Sequence, residues 1–244
     1  MLFDDPEWEH EYPASHLGEA EFRDLSARLL FGDESQTVRE KRQASPRFNS
    51  PRCPWLIDSF QTSINAGSGR QRGLPHGCQV SAEALRAWQR LAHTFQAKQH
   101  FAFLDLSYPG FVSGSVAKDC MPIRIFDEVE IPLLVAATYG KMLGLYGERV
   151  GYLCLSLPTA EAAARSEQQM KLLARAETGA QPRFGARLVS NILGTPRLKA
   201  QWEEDIKRLA EDLADRRKKL KIELLRGNSE HDWDFVTSQA GMFL

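Results

Sequence analysis

The feature that most constrains this chain is a lysine set among small residues at the end of an apolar run. The run is Ile131-Pro132-Leu133-Leu134-Val135-Ala136-Ala137, and the lysine is Lys141 in Thr138-Tyr139-Gly140-Lys141. Met142-Leu143-Gly144-Leu145-Tyr146-Gly147-Glu148-Arg149-Val150-Gly151 follows. A short unbroken apolar run reads as a buried strand, so the lysine is delivered to a site. Low dielectric or neighbouring cations make such an amine nucleophilic, and a primary amine on a flexible stem forms an imine with an aldehyde. A glycine-flanked lysine taken alone is more often a surface residue of a loop; its surroundings decide between the two.

Thr138 and Arg149 flank Lys141, and a hydroxyl and a planar guanidinium both suit phosphate oxygens. An aldehyde that carries a phosphate is pyridoxal phosphate. Upstream, Phe101-Ala102-Phe103-Leu104-Asp105-Leu106-Ser107-Tyr108-Pro109-Gly110-Phe111 reads as a second buried strand, presenting Asp105 and Tyr108 at its carboxyl end. A carboxylate near a pyridine nitrogen keeps it protonated, and the pyridinium is an electron sink. Tyr108 supplies a donor for the ring's phenolic oxygen. An isolated strand-end aspartate is more often a turn or cap residue; the pairing with Lys141 gives this one its meaning.

These runs resemble the aspartate aminotransferases, in the class I family of fold-type I pyridoxal-phosphate enzymes. The resemblance is carried by Tyr139-Gly140-Lys141, Gly144 to Gly151, Asp105 to Phe111, Gly185-Ala186-Arg187, His10-Glu11-Tyr12 and Glu21-Phe22-Arg23. It extends from about His10 to the end, with a poorly matching interval at roughly Gln43 to Gly73. It implies an α/β fold, the remnant of a large domain with a mainly parallel sheet flanked by helices, and an incomplete small domain. The expected activity is transamination between aspartate or glutamate and 2-oxo acids. Lys141 is then the catalytic lysine that bonds to the cofactor and moves protons, Asp105 the pyridinium partner, Tyr108 the phenolic-oxygen donor, and Thr138 and Arg149 the phosphate ligands. Tyr12 matches a tyrosine that reaches the partner subunit's cofactor phosphate, and an ordinary packing role is equally open for it. Arg175 matches the arginine for the substrate's distal carboxylate, against the rival reading of a helix C-terminal cation. A homodimer follows from these two residues.

The sequence also departs from the family. Where the family carries Asn-Pro-Thr-Gly this chain has Leu74-Pro75-His76-Gly77, and leucine cannot donate a hydrogen bond. The family's Ser-Gly-Thr phosphate turn and ring-stacking tryptophan have no visible counterpart between Gln43 and Gly73. The arginine for the substrate α-carboxylate would lie beyond Leu244. A second reading therefore stands beside the transaminase: a shortened family member that keeps cofactor binding or an interaction role without turnover.

The chain divides on this reading into an N-terminal helical segment at 1–42, an irregular linker at 43–73, a cofactor-binding α/β domain at 74–195, and a long helix with the start of a small domain at 196–244. Phe22, Leu25, Leu29 and Leu30 before Gly32 predict a helix with a glycine stop, and Ser35 is set to cap the next one. The arginine-bearing, Pro- and Gly-rich linker shows no period and no interleaved aromatics for stacking on bases. With 31 basic and 32 acidic residues, a formal net charge of -1 gives no general attraction to nucleic acid or anionic membranes. No apolar run is long enough to span a bilayer. Cys53, Cys78, Cys120 and Cys154 are scattered without paired spacing, as in reduced intracellular proteins. The opening MLFDDPEWEHEY is acidic and lacks arginine, so a cytoplasmic location is expected.

Overall fold

A computed structural model of the chain describes residues 13, 15–44, 47–48, 63–65, 82–177, 179–227, 230–238 and 240–242. Tyr12, Leu74, His76, Cys53 and Cys78 lie outside the described residues. The helices are α1 (Ala20–Phe31), α2 (Gln36–Arg39), α3 (Ala82–Ala97), α4 (Val116–Asp119), α5 (Met121–Glu128), α6 (Tyr139–Met142), α7 (Ala160–Glu177), α8 (Phe184–Gly194), α9 (Pro196–Gly227) and α10 (Phe235–Ser238). The strands are β1 (Gln43–Ala44), β2 (Arg47–Phe48), β3 (Ser63–Asn65), β4 (Ala102–Leu106), β5 (Leu133–Thr138) and β6 (Gly151–Ser156).

The expected α/β architecture is present, built on one sheet in the order β1-β6-β5-β4-β3, with β2 also on β6. β3, β4 and β5 run parallel, whereas β6 is antiparallel to β5, and β1 and β2 are antiparallel to β6. The sheet is therefore mixed. The direction of β6 has a simple cause. Only the segment from Leu143 to Val150, which holds one short helical turn, separates the one-turn α6 from β6. A parallel return needs a crossover of a dozen residues or more.

Side-chain alternation along the strands divides the core into two layers. Leu133, Val135 and Ala137 join the main core with Leu104, Leu106, Tyr152 and Cys154, under residues of α1, α3, α5, α8 and α9. Leu134 joins Phe103 and Leu153 on the other face, where Met170 of α7 packs with Phe101, Ala136 and Leu155. Both faces are thus covered, which is why the strands read as continuous apolar runs.

Three expectations change in detail. The interval from Gln43 to Gly73 contributes strand pairing: β1 and β2 lie along β6, with Gln43 opposite Ser156 and Phe48 opposite Gly151, and β3 lies along β4. Strands of two or three residues are too short to show a period. Helix α1 stops at Gly32 as expected, with φ of 90°, but Ser35 makes no cap bond at α2. Its hydroxyl donates instead to Asp127 Oδ2 at 2.6 Å, because a buried carboxylate is the stronger acceptor. The lysine, finally, sits three residues past the end of β5, in the one-turn α6 that follows the strand.

Candidate active site

The carboxyl ends of β4 and β5 and the start of β6 meet at one end of the sheet. The register sets Asp105 opposite Ala136, and Thr138 opposite Gly151. Sequence then adds Tyr108 just beyond β4, Lys141 just beyond β5, and Arg149 just before β6. Five of the seven candidate residues are thereby brought to one end of the sheet, as expected for an open α/β fold.

The lysine turn is fixed at its start by local chemistry. The Thr138 hydroxyl accepts from the Gly140 amide at 3.1 Å, so the side chain is an N-cap. A Cβ at Gly140 would fall 3.2 Å from that same oxygen, which favours glycine there. The Tyr139 amide donates to the Val150 carbonyl at 3.0 Å. The Tyr139 phenol, fully buried, donates to Ser26 Oγ at 2.8 Å, and its ring meets Phe22 edge-on at 5.6 Å. Burial raises this phenol above its ordinary range, so it stays a neutral donor.

From this turn the half-buried Lys141 extends its Nζ to 4.3 Å from the centroid of the Tyr146 ring and 5.9 Å from that of Tyr108. The Tyr108 ring packs edge-on against Phe111 at 5.4 Å. The loop after Tyr108 is gathered by Asp119, a buried carboxylate that accepts from the amides of Gly110 at 2.6 Å, Val112 at 3.2 Å and Ser113 at 3.3 Å. Burial raises the Asp119 carboxyl above the usual carboxylate range, and these hydrogen bonds pull it back in part. Asp105 is half-buried and also raised, with burial as the cause. A carboxylate kept from water beside an apolar strand is poised to gain from a cationic partner.

Arg149 is exposed, in the left-handed backbone region with φ of 50° and ψ of 45°, and donates from Nη1 to the Tyr146 carbonyl at 3.2 Å. Arg175 stands exposed in the last turn of α7. Tyr12 lies outside the described residues. Two runs that carried the resemblance touch in space: a Cβ on Gly185 would fall 3.1 Å from Glu148 Cβ and 3.2 Å from Val150 Cβ. Arg187 and Arg183, on and before the same helix, share Glu19 at 3.5 and 2.6 Å. Among the described residues no cluster of His, Cys, Asp and Glu could hold a metal ion, and no helix is long and apolar enough to cross a membrane.

The model of the family Aminotransferase class I and II matches residues 81–244. The chain belongs to that family. Within these aminotransferases, it is 40% identical over 157 residues to the mitochondrial aspartate aminotransferase of Schizosaccharomyces pombe, covering 64% of this chain and 36% of that protein. It is 32% identical over 214 residues to mitochondrial aspartate aminotransferase P2 of Lupinus angustifolius, covering 80% of this chain and 47% of that one. The chain thus spans less than half the length of these two aminotransferases. Among solved structures, the cytoplasmic aspartate aminotransferase of Saccharomyces cerevisiae aligns with a TM-score of 0.84 at 21% identity, covering 99% of this chain and 73% of that chain. The mitochondrial enzyme of Trypanosoma brucei aligns at 0.82 and 24%, covering 96% and 76%. These likenesses establish the fold-type I aminotransferase architecture. The curated aminotransferases named here are mitochondrial, and give no support to the cytoplasmic expectation.

Sequence reasoning gave no role to three residues that the structure places on the lysine turn or on the loop after Tyr108. Tyr146 belonged to the quoted run without a role, although its place five residues after the lysine, in a short glycine-rich turn, already kept it near. Asp119 had no local signal, and Trp202 read only as a periodic position of the long helix, because their partners are backbone groups of other segments.

Proposed function

We propose that this chain carries the cofactor-capturing half-site of a pyridoxal-phosphate-dependent transaminase acting on aspartate or glutamate and 2-oxo acids. The observation that carries the reading is the convergence of Lys141, Asp105, Tyr108, Thr138 and Arg149 at one end of the sheet. The donor set fits the group: one amine, one acid raised by burial, one phenol, one hydroxyl and one guanidinium. When bound, pyridoxal phosphate supplies an aldehyde for covalent capture and an electron-accepting ring.

The residues divide the remaining work. Lys141 would hold the aldehyde covalently, with loss of water, and its free amine would be the group that accepts and returns the proton on the substrate α-carbon. Its flexible stem and its place at the strand end keep it within reach, so proximity supplies much of the rate. Asp105 provides a negative charge in a site of low dielectric, where its pairing with a ring N–H⁺ is strong. Tyr108 would offer its phenol O–H to the oxygen on the ring. Arg149 and Thr138 supply charge and hydroxyl for a phosphate, as soon as Arg149 trades the Tyr146 carbonyl for a charged acceptor. Arg175 is assigned to the distal carboxylate of a dicarboxylic substrate, and Tyr12 to the phosphate, both across the interface of a homodimer.

The deciding experiment titrates the purified chain with pyridoxal phosphate, reduces with borohydride and locates the adduct by mass spectrometry. Adduct at Lys141, lost in Lys141→Ala and accompanied by a near-visible absorbance band, supports the reading. Labelling spread over surface lysines, with no band, overturns it. A coupled assay with aspartate and 2-oxoglutarate then tests turnover; capture without turnover selects the shortened, non-transaminating alternative.

A further inference from the structure

Helix α6 is a single turn. Helices this short do not hold themselves together, because too few hydrogen bonds offset the ordering of the backbone. The direction in which Lys141 points is therefore set by whatever grips the two ends of that turn. The start is gripped by the Thr138 cap and the Tyr139 contacts with Val150 and Ser26. The far end ends in carbonyls, and one of them has a tertiary donor: the buried Trp202 of α9 gives its indole N–H to the Met142 carbonyl at 2.9 Å.

One turn further along α9, Ile206 presses on the other loop of the site. A Cβ on Gly110 would fall 2.6 Å from Ile206 Cγ2, and Gly110 has a positive φ of 94° and gives its amide to Asp119. Residues at i and i+4 share one face of a helix. A single rigid ridge thus touches the residue after Lys141 and the residue two after Tyr108. The Lys141 amine and the Tyr108 ring, 5.9 Å apart to the centroid, ride on the two segments that this ridge touches.

We propose that Trp202 is a positioning residue for the reaction: through the Met142 carbonyl it aims the Lys141 amine, and with Ile206 it keeps that amine in register with Tyr108. The assignment rests on the transaminase reading for its chemistry, but the aiming is a property of the chain itself. Trp202→Phe keeps an aromatic ring in the pocket and deletes the donor together with one ring of the indole. A buried carbonyl left without its donor relaxes, and a hydrogen bond of this kind is worth a factor of roughly three to ten in an equilibrium.

The test compares the whole chain with Trp202→Phe. Acetic anhydride labelling at limiting dose, read residue by residue by mass spectrometry, gives the reactivity of Lys141 relative to Lys218, which is far away on the solvent side of α9. The expected result is a three- to tenfold change in that ratio, together with a displaced pH midpoint for the pyridoxal phosphate absorbance band. An unchanged ratio and an unchanged pH profile in folded Trp202→Phe overturn the proposal. If circular dichroism shows that this variant does not fold, Ile206→Val decides: a smaller change in the Lys141 ratio supports the ridge, and none overturns it. The labelling needs no cofactor, so a wild type that captures no pyridoxal phosphate would sink the transaminase reading while still judging Trp202.

Discussion

The Nζ of Lys141 lies 4.3 Å from the centroid of the Tyr146 ring. An ammonium over an aromatic face at that distance is held by the ring quadrupole, by about 0.5 to 1 kcal/mol at an exposed position, and Tyr146 is 52% exposed. The charged lysine has a resting place beside the strand ends. Removing the ring by Tyr146→Ala should make the free amine roughly two to five times more reactive toward acetic anhydride, from the same energy. Tyr146→Phe, which keeps the face and loses the hydroxyl, should behave as wild type. Equal labelling in all three proteins would show that the ring does not hold the amine.

Asp105 makes a second prediction through pH. Its carboxyl is raised by burial, so the folded chain binds its proton more tightly than the unfolded chain, where the value is near 3.9. The unfolded state then holds fewer protons between those two values, and stability falls as pH rises from about 4 through the folded value. Asp119 is raised as well and acts in the same direction. Asp105→Asn should therefore stabilise the cofactor-free chain near pH 7, because the neutral amide does not carry the burial cost of the charged carboxylate. It should also weaken capture of pyridoxal phosphate. Thermal unfolding from pH 4 to 8 checks this; a variant that is less stable at pH 7 than the wild type would contradict it.

Gly110 cannot be exchanged for alanine at low cost. Its φ is 94°, and the added Cβ would fall 2.6 Å from Ile206 Cγ2 and 3.1 Å from Val116 Cγ2. Both are β-branched side chains with stiff rotamers. Left-handed strain and overpacking together should destabilise Gly110→Ala by about 2 to 4 kcal/mol. For a chain of this size that is a fall of roughly 5 to 15 °C in Tm. A shift under about 2 °C would mean that α9 moves away freely, and would weaken the ridge argument as well.

The far end of β6 offers a control on stability alone. Asp127 is buried and accepts from the hydroxyls of Ser35 at 2.6 Å, Thr37 and Ser156 at 3.3 Å, tying α2, α5 and β6 together. Ser156 closes β6 at the end opposite Gly151, so six residues of strand, about 17 Å, separate this cluster from the site. Asp127→Asn should cost roughly 2 to 3 kcal/mol, because a charged acceptor becomes a neutral amide among donors. Denaturant unfolding measures the loss. The Lys141 labelling ratio should stay within error of wild type.

Much of the site was legible because its residues sit in short contiguous runs. Lys141 with Thr138 and Arg149, and Asp105 with Tyr108, follow apolar runs, and period and composition locate the ends of such runs. The strands at Gln43–Ala44, Arg47–Phe48 and Ser63–Asn65 were not legible. Each is two or three residues long, and each exists because a longer strand, β6 or β4, presents unpaired backbone groups beside it. Ser35 shows the same limit: its local signal was a helix cap, and a distant buried carboxylate claimed its hydroxyl.

The amino-acid sequence by itself determined which chemical groups the chain can bring to bear and on which segments they ride, since apolar periodicity and glycine placement are local properties. The pairing of β1, β2 and β3 with the longer strands and the grip of Trp202 on the Met142 carbonyl were decided only in three dimensions. The physical reason is the same in each case. A backbone carbonyl or a strand edge accepts any suitable donor, so its partner is fixed by which elements pack nearby and not by the residue that bears it.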